Sequence, residues 1–154
     1  AVSSEPGQGA TFVMSFPRVP APEAVASPPD VVKPPRPRAV LLVDDDEAVR
    51  RSLRRLLRGR GLEVVEAASG EEALARLTEG AVVGAMITDV RMPGMSGVEL
   101  AERAKALRGD LPVLFISGHV TPSLVEELAR RGGSLLEKPF APGELLERID
   151  CLLE

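Results

Sequence analysis

Asp44, Asp45 and Asp46 follow the apolar run Ala39–Val43, and Asp89 follows the run 82–88. Ser117 ends the run 111–116, and Lys138 stands just beyond 134–136. A loop, Met92-Pro93-Gly94-Met95, breaks the chain directly after Asp89. If these runs are neighbouring strands, their carboxyl ends bring Asp44, Asp45 and Asp89 within several ångströms of one another. At about 5 Å and an effective dielectric of about 20, each pair of like charges repels by roughly 3 kcal/mol. A fold tolerates this when a cation lies among the acids, and an all-oxygen set without His or Cys selects Mg²⁺ or Mn²⁺. Add the Lys138 ammonium and the Ser117 hydroxyl, and the set suits phosphoryl transfer onto Asp89. The transferring group spreads its charge over three oxygens, and each of these groups can meet one.

The elements that must position these groups alternate along the chain. After 39–43, Ala48, Val49, Leu53, Leu56 and Leu57 recur at helical spacing, with Arg50, Arg51, Arg54, Arg55 and Arg58 as a solvated basic face. Gly59 and Gly61 end that helix. Residues 62–66 partly alternate, as an edge strand does. Ser69 is an N-cap with Glu72 completing a capping box, and Ala73, Leu74 and Leu77 point inward. The run 82–88 reads as a buried strand. Ser96, with Glu99 at the boxed position, starts a helix carrying Val98, Ala101, Ala104 and Leu107. A strand at 111–116, a helix at 121–131 ended by Gly132-Gly133, a short strand at 134–136 and a helix at 141–153 with Leu145, Ile149 and Leu152 inward complete the pattern. Five strands and five helices in strict alternation predict an α/β fold, a doubly wound five-stranded parallel sheet. The wholly apolar runs take the centre and 62–66 an edge, which predicts the order 2-1-3-4-5 with a crevice between strands one and three.

Composition narrows the class. The net charge of −4 argues against a nucleic-acid surface. The single cysteine, Cys151, excludes an internal disulfide and fits a reducing compartment. No apolar run approaches the about 18 residues of a membrane span, and no signal peptide is legible. The expectation is a soluble, cytoplasmic chain without membrane contact of its own, whatever the location of its parent protein. Residues 1–38 differ in kind, holding nine of the 14 prolines. Within them, 19–38 has the composition of an extended, solvated linker without packed structure, leaving 1–18 as a separate segment and 39–154 as the folded domain.

From Arg38 to Glu154 the motifs resemble the receiver domain of two-component response regulators, which has a flavodoxin-like fold. Val43-Asp44-Asp45-Asp46 is similar to the family's acidic pair. Ile87-Thr88-Asp89-Val90-Arg91-Met92-Pro93-Gly94-Met95-Ser96-Gly97 is similar to its phosphoacceptor loop. Ser117 and Lys138-Pro139-Phe140 stand at its Ser/Thr and lysine places. The resemblance implies that Asp89 is phosphorylated, that Asp45 binds Mg²⁺ directly and Asp44 through water, and that Arg91 lends its backbone carbonyl to the metal. It implies a cis bond before Pro139, and that Arg91 and His119 tune the lifetime of the phosphate. It also implies a phosphohistidine partner, in a histidine kinase or a histidine phosphotransfer domain. Leu135 departs from the pattern, standing where the family carries a switch aromatic, so a weak switch and a monomer are expected. Pro6-Gly7-Gln8-Gly9-Ala10-Thr11-Phe12, with Phe16-Pro17, resembles the end of the ATP-binding domain of sensor histidine kinases, Ala10 departing from the usual Thr. Together the two resemblances imply the C-terminal receiver of a hybrid histidine kinase. The parent would be a transferase, whereas this chain lacks the phosphorylatable histidine region and is no kinase itself.

Plainer roles are expected for other residues. Asp46 and Glu47 suit the first turn of a helix, favoured by its dipole. His119 reads as an exposed loop residue, and Cys151 carries no legible chemistry. Two other functions compete. One is a free-standing response regulator whose first 38 residues carry no meaning. The other is an Asp-based phosphohydrolase using Asp44-x-Asp46 with Asp44 as nucleophile, although Ala48 replaces that family's usual Thr or Val.

Overall fold

The computed structural model describes residues 35–154 and, ahead of them, two short strands, β1 (Val2–Ser3) and β2 (Thr11–Phe12), paired antiparallel. The remaining expectations for residues 1–18, and those for 19–34, lie outside the described residues. From Pro35 onward the chain is a separate unit. Its elements are β3 (Ala39–Val43), α1 (Glu47–Gly59), β4 (Glu63–Ala67), α2 (Gly70–Thr78), β5 (Ala85–Asp89), α3 (Gly97–Arg108), β6 (Val113–Ser117), α4 (Pro122–Arg130), β7 (Ser134–Glu137) and α5 (Pro142–Leu153). All four pairings are parallel, in the order β4-β3-β5-β6-β7. Counted from Ala39 this is the expected 2-1-3-4-5.

Strand residues alternate between two apolar layers. Leu41, Val43, Met86, Val113 and Phe115 pack with Ala73 and Leu77 of α2, Leu100, Ala101 and Ala104 of α3, and Leu128 of α4. Val40, Leu42, Ile87, Leu114, Ile116 and Leu136 pack with Leu53 and Leu57 of α1 and Leu145 and Ile149 of α5. Each fully buried aliphatic side chain stabilises the fold by ~1.5–3 kcal/mol relative to leaving it exposed. Two-sided burial holds every central strand in one register.

Local chemistry starts the helices. Asp46 caps α1, its carboxylate accepting from the Ala48 and Val49 amides, as its reading as a first-turn residue implied. Ser69, Ser96 and Thr121 cap α2, α3 and α4 through their hydroxyls. The expected capping boxes close differently. Glu72 accepts from the Ala68 amide rather than from Ser69, and the Glu99 carboxylate turns to Arg103. Ala141 precedes α5 without a side-chain cap, and Pro142 opens that helix, where its missing N–H costs nothing.

Three expectations are corrected. Residues 82–84 are not strand: Val82 is 64% exposed, and Gly84 lies so close to the Pro37 carbonyl that a Cβ would meet its oxygen at 2.1 Å. Leu107, expected inward, is 52% exposed, because the buried stripe of α3 ends at Ala104. The last residues assigned to a solvated linker are docked. Arg36 donates to the carbonyl and carboxylate of Asp110 at 2.8 and 3.0 Å, and the Arg38 carbonyl accepts from the Glu63 amide at 3.0 Å.

At the end of β5 a further glycine is required by close approach. A Cβ at Gly97, the first residue of α3, would meet the Asp89 carbonyl oxygen at 2.0 Å and Thr88 Oγ1 at 3.0 Å. The Asp89 carbonyl cannot yield without moving the loop after Asp89. Gly97→Ala is therefore expected to destabilise the fold by about 2 kcal/mol or more in urea unfolding. Gly143→Ala, in α5 with no atom within 4 Å of the added carbon, is expected to be neutral or slightly stabilising. Equal effects at the two sites would contradict the close approach.

Candidate functional site

The carboxyl ends of β3, β5, β6 and β7 deliver the chemical residues to one end of the sheet. Asp44 follows β3, Asp89 ends β5, Ser117 ends β6 and Lys138 follows β7. The Lys138 ammonium lies 2.7 Å from Asp89 Oδ2 and 3.5 Å from Asp44 Oδ2. Its own backbone amide donates to the Ser117 carbonyl at 2.8 Å, and the Lys138–Pro139 bond is cis, as the resemblance implied. The other Asp89 oxygen, Oδ1, accepts from the Arg91 amide at 2.9 Å. Asp44 Oδ1 accepts from the Asp46 amide at 2.9 Å. An open cleft of about 330 Å³ is lined by Asp89, Arg91, Ser117, Gly118, His119 and Lys138.

Electrostatics separate the two acids. Asp44 is 2% exposed. Burial raises its pKa first, and the charges of Asp89 and Asp45 add to the rise, against the Asp46 N–H and Lys138. Lys138 pays a desolvation penalty as well, but its hydrogen bond to Asp89 and the charges of Asp44 and Asp89 outweigh it, raising its pKa and keeping it an ammonium. Asp89 lines the open cleft, so it is the carboxylate that a reactant can approach. The phosphohydrolase alternative needs Asp44 as nucleophile, and Asp44 is buried.

The side chains of Asp45, Ser117, His119 and Leu135 make no hydrogen bond or ion pair to these acids. Asp45 is exposed, so the expected convergence of three carboxylates reduces to two that share an ammonium and a third at the surface. The Ser117 hydroxyl donates to the His119 carbonyl at 2.9 Å and accepts from the His119 amide at 3.1 Å. His119 itself is exposed. Leu135 is half-buried, in register with the buried Phe115, whose ring fills the space where a Cβ on Gly133 would stand.

Among the described residues, no group of three or more His, Cys, Asp or Glu side chains is already gathered as a metal cage. The donor set still fits a hard divalent cation in type. It offers only oxygens, and two of them belong to carboxylates, Asp44 and Asp89, that already share one cation, Lys138.

Three contacts at the site escaped the sequence reading. Thr88 Oγ1 donates to the Asp89 carbonyl at 3.0 Å. Gly97, part of the loop motif in the sequence, proves to be the point where α3 approaches the Asp89 carbonyl. Arg50, assigned to a solvated face, is half-buried and donates to the Asp44 carbonyl at 2.7 Å.

The raised pKa of Asp44 has a signed consequence. The folded state binds its proton more tightly than the unfolded chain does. Asp44 therefore favours folding below the ordinary carboxylate range, and that contribution is lost as pH rises through its folded pKa. Asp44→Asn keeps an acceptor for the Asp46 amide and removes the buried charge. In metal-free buffer at neutral pH its urea midpoint is expected above that of the wild type, with the difference vanishing on acidification. A lower midpoint at neutral pH would contradict the electrostatic account.

Comparison with known proteins identifies the family. The response regulator receiver domain family matches residues 40–150. Nodulation protein W of Bradyrhizobium diazoefficiens is 38% identical over 117 residues, covering 75% of this chain and 51% of that protein. Sensor kinase CckA of Brucella abortus is 33% identical over 162 residues, covering 98% of this chain and 17% of that protein. The chain thus spans about half of the first relative's length and far less of the second's. Among solved structures, the receiver domain from the hybrid histidine kinase CckA is 41% identical with a TM-score of 0.65, over 75% of this chain and 99% of that one. The chemotaxis protein CheY4 of Vibrio cholerae is 33% identical with a TM-score of 0.69, over 75% of this chain and 98% of that one. Sequence and sheet order agree, and the chain belongs to the response regulator receiver domain family, the receivers of two-component signalling.

Proposed function

We propose that Asp89 is the phosphoacceptor of this receiver domain, taking a phosphoryl group from a phosphohistidine of a histidine kinase or a histidine phosphotransfer domain. The observation that carries this reading is the Lys138 ammonium, 2.7 Å from the accessible Asp89 carboxylate and 3.5 Å from the buried Asp44. An Asp89 oxygen forms the new bond to phosphorus as the bond between phosphorus and the donor imidazole nitrogen breaks, and the imidazole keeps that electron pair. Lys138 then meets a phosphoryl oxygen, where its fixed charge offsets the charge of the transferring group. The Ser117 hydroxyl turns from the His119 backbone to a second oxygen. In this reading Asp44, Asp45, Asp89 and the Arg91 carbonyl hold Mg²⁺, which supplies neutralisation of the remaining phosphoryl charge.

The N-terminal segment bears on the parent protein. The similarity to sensor kinase CckA extends over 98% of this chain, beyond the folded receiver. That extent, together with the kinase-like Pro6–Phe12 motif, favours the C-terminal receiver of a hybrid histidine kinase over a free-standing regulator. The reading puts the receiver on the cytoplasmic side, where ATP supplies the phosphoryl groups of kinases. Among the described residues no helix is long and apolar enough to cross a membrane.

A small phosphodonor with Mg²⁺ is expected to add one phosphoryl group, read by intact mass. The added mass should be absent from Asp89→Asn and in the presence of a chelator. Labelling of Asp89→Asn to the wild-type extent would remove Asp89 from the role. Arg91 and His119, both exposed and both lining the cleft, flank the approach of a hydrolytic water. Arg91→Ala and His119→Ala are expected to change the half-life of the phosphorylated protein while leaving its rate of formation unaltered. Half-lives equal to wild type in both variants would exclude them as tuning residues.

A further inference from the structure

We infer that Arg50 is a positioning residue for the acid turn, holding in place the Asp44–Asp45 peptide that carries two of the carboxylates assigned to the metal. The inference rests on the phosphoacceptor reading above and adds a residue that this reading does not use. A cavity of about 340 Å³ beside the site, between α1, α2 and the end of β4, is faced by four guanidinium groups. Three have carboxylate partners: Arg51 with Glu47, Arg54 with Glu66 and Arg76 with Glu72. Arg50 differs, because its Nη1 donates instead to the backbone carbonyl of Asp44 at 2.7 Å.

That carbonyl is where the position matters. Asp44 leaves β3, Asp45 is exposed, and Asp46 caps α1, so three successive residues change backbone role within one turn. From Asp44 to Asp46 the turn is fixed inside by the Asp46 amide on Asp44 Oδ1. Arg50, one helical turn into α1, fixes it from behind. The Arg50 amide bonds the Asp46 carbonyl at 3.0 Å, so both ends of this residue grip the same three-residue segment. A charged donor on a partly buried carbonyl makes a stronger hydrogen bond than a neutral one. The result is a turn that cannot rotate its peptide without breaking that bond.

The sign of one measurement separates positioning from plain charge. Removing a cation near a cation-binding set strengthens Mg²⁺ binding on Coulomb grounds alone. Loosening the peptide that carries the acids weakens it. Arg50→Met keeps the side-chain length while losing donor and charge, Arg50→Lys keeps both, and Arg54→Met removes a neighbouring charge that does not touch Asp44. With the full chain in metal-free buffer, Arg50→Met is expected to move the Asp44 carbonyl carbon resonance, and Arg54→Met is not. In a Mg²⁺ titration followed at the Asp45 and Arg91 amides, Arg50→Met should raise the dissociation constant roughly tenfold, the scale seen when the partner that orients a metal ligand is lost. Arg50→Lys should recover most of that loss, and Arg54→Met should bind Mg²⁺ as tightly as wild type or more tightly. Equal or tighter Mg²⁺ binding by Arg50→Met, or an unmoved Asp44 carbonyl resonance, overturns the inference. Absence of any Mg²⁺ response in the wild type would instead overturn the metal set of the phosphoacceptor reading, and the metal-free carbonyl resonance would then decide the role of Arg50 alone. Should Arg50→Met fail to fold, Arg50→Leu, which likewise lacks donor and charge, serves the same comparison.

Discussion

The Lys138 ammonium, shared between Asp89 and Asp44, is the contact on which the arrangement of the site depends. Two carboxylates in one partly desolvated crevice repel, and the cation that joins them comes from 49 residues beyond Asp89. It arrives there only because β7 pairs with β6 and β6 with β5 in a single register, Ser117 opposite Glu137 and Asp89 opposite Ile116. A slip of one residue in either pairing would turn each side chain to the other face and carry Lys138 away from the acids. The two apolar layers forbid that slip, since it would expose the strand residues of one layer and crowd the other. Core packing and the ion contact are therefore one constraint seen at two places.

At the end of the sheet the strands stop pairing and the backbone must be satisfied by other means. Asp46, Ser69, Ser96 and Thr121 do this at four helix starts. The same device shapes the cleft, because α3 begins so close to Asp89 that only glycine fits at its first position. Side-chain and backbone bonds to Asp89, from Lys138 and the Arg91 amide, leave its carboxylate oriented and still open to the cleft. Asp44, equally acidic by type, is buried, and burial raises its pKa. Burial thus divides two like residues into one open to the cleft and one enclosed beneath it.

Much of this was legible in the residues themselves. The apolar runs and helical spacings are local patterns, and they identify β3, β5 and β6 as central and β4 as an edge. The acids, the serine and the lysine each follow such a run, so the topology alone sends them to one end. Capping residues were legible for the same reason, since a cap acts within three residues. What failed was of another kind. Val82 and Leu107 look like core residues, but the chain at Gly84 lies against Pro37 and α3 outruns its buried stripe. The Glu72 carboxylate went to Ala68 and not to Ser69, a choice between two amides one residue apart.

By itself the sequence determined the fold class, the strand order and which residues stand at the carboxyl ends of the strands, because periodicity and strand termination are properties of neighbours in the chain. Only the tertiary structure decided that Asp45 faces solvent, that the Ser117 hydroxyl rests on His119, and that Arg50 holds the Asp44 carbonyl rather than joining the exposed basic face. These are the directions of single side chains at turns, where spacing permits several. A long guanidinium or a hydroxyl takes the partner that burial and competing groups leave within reach, and those groups are brought together by folding.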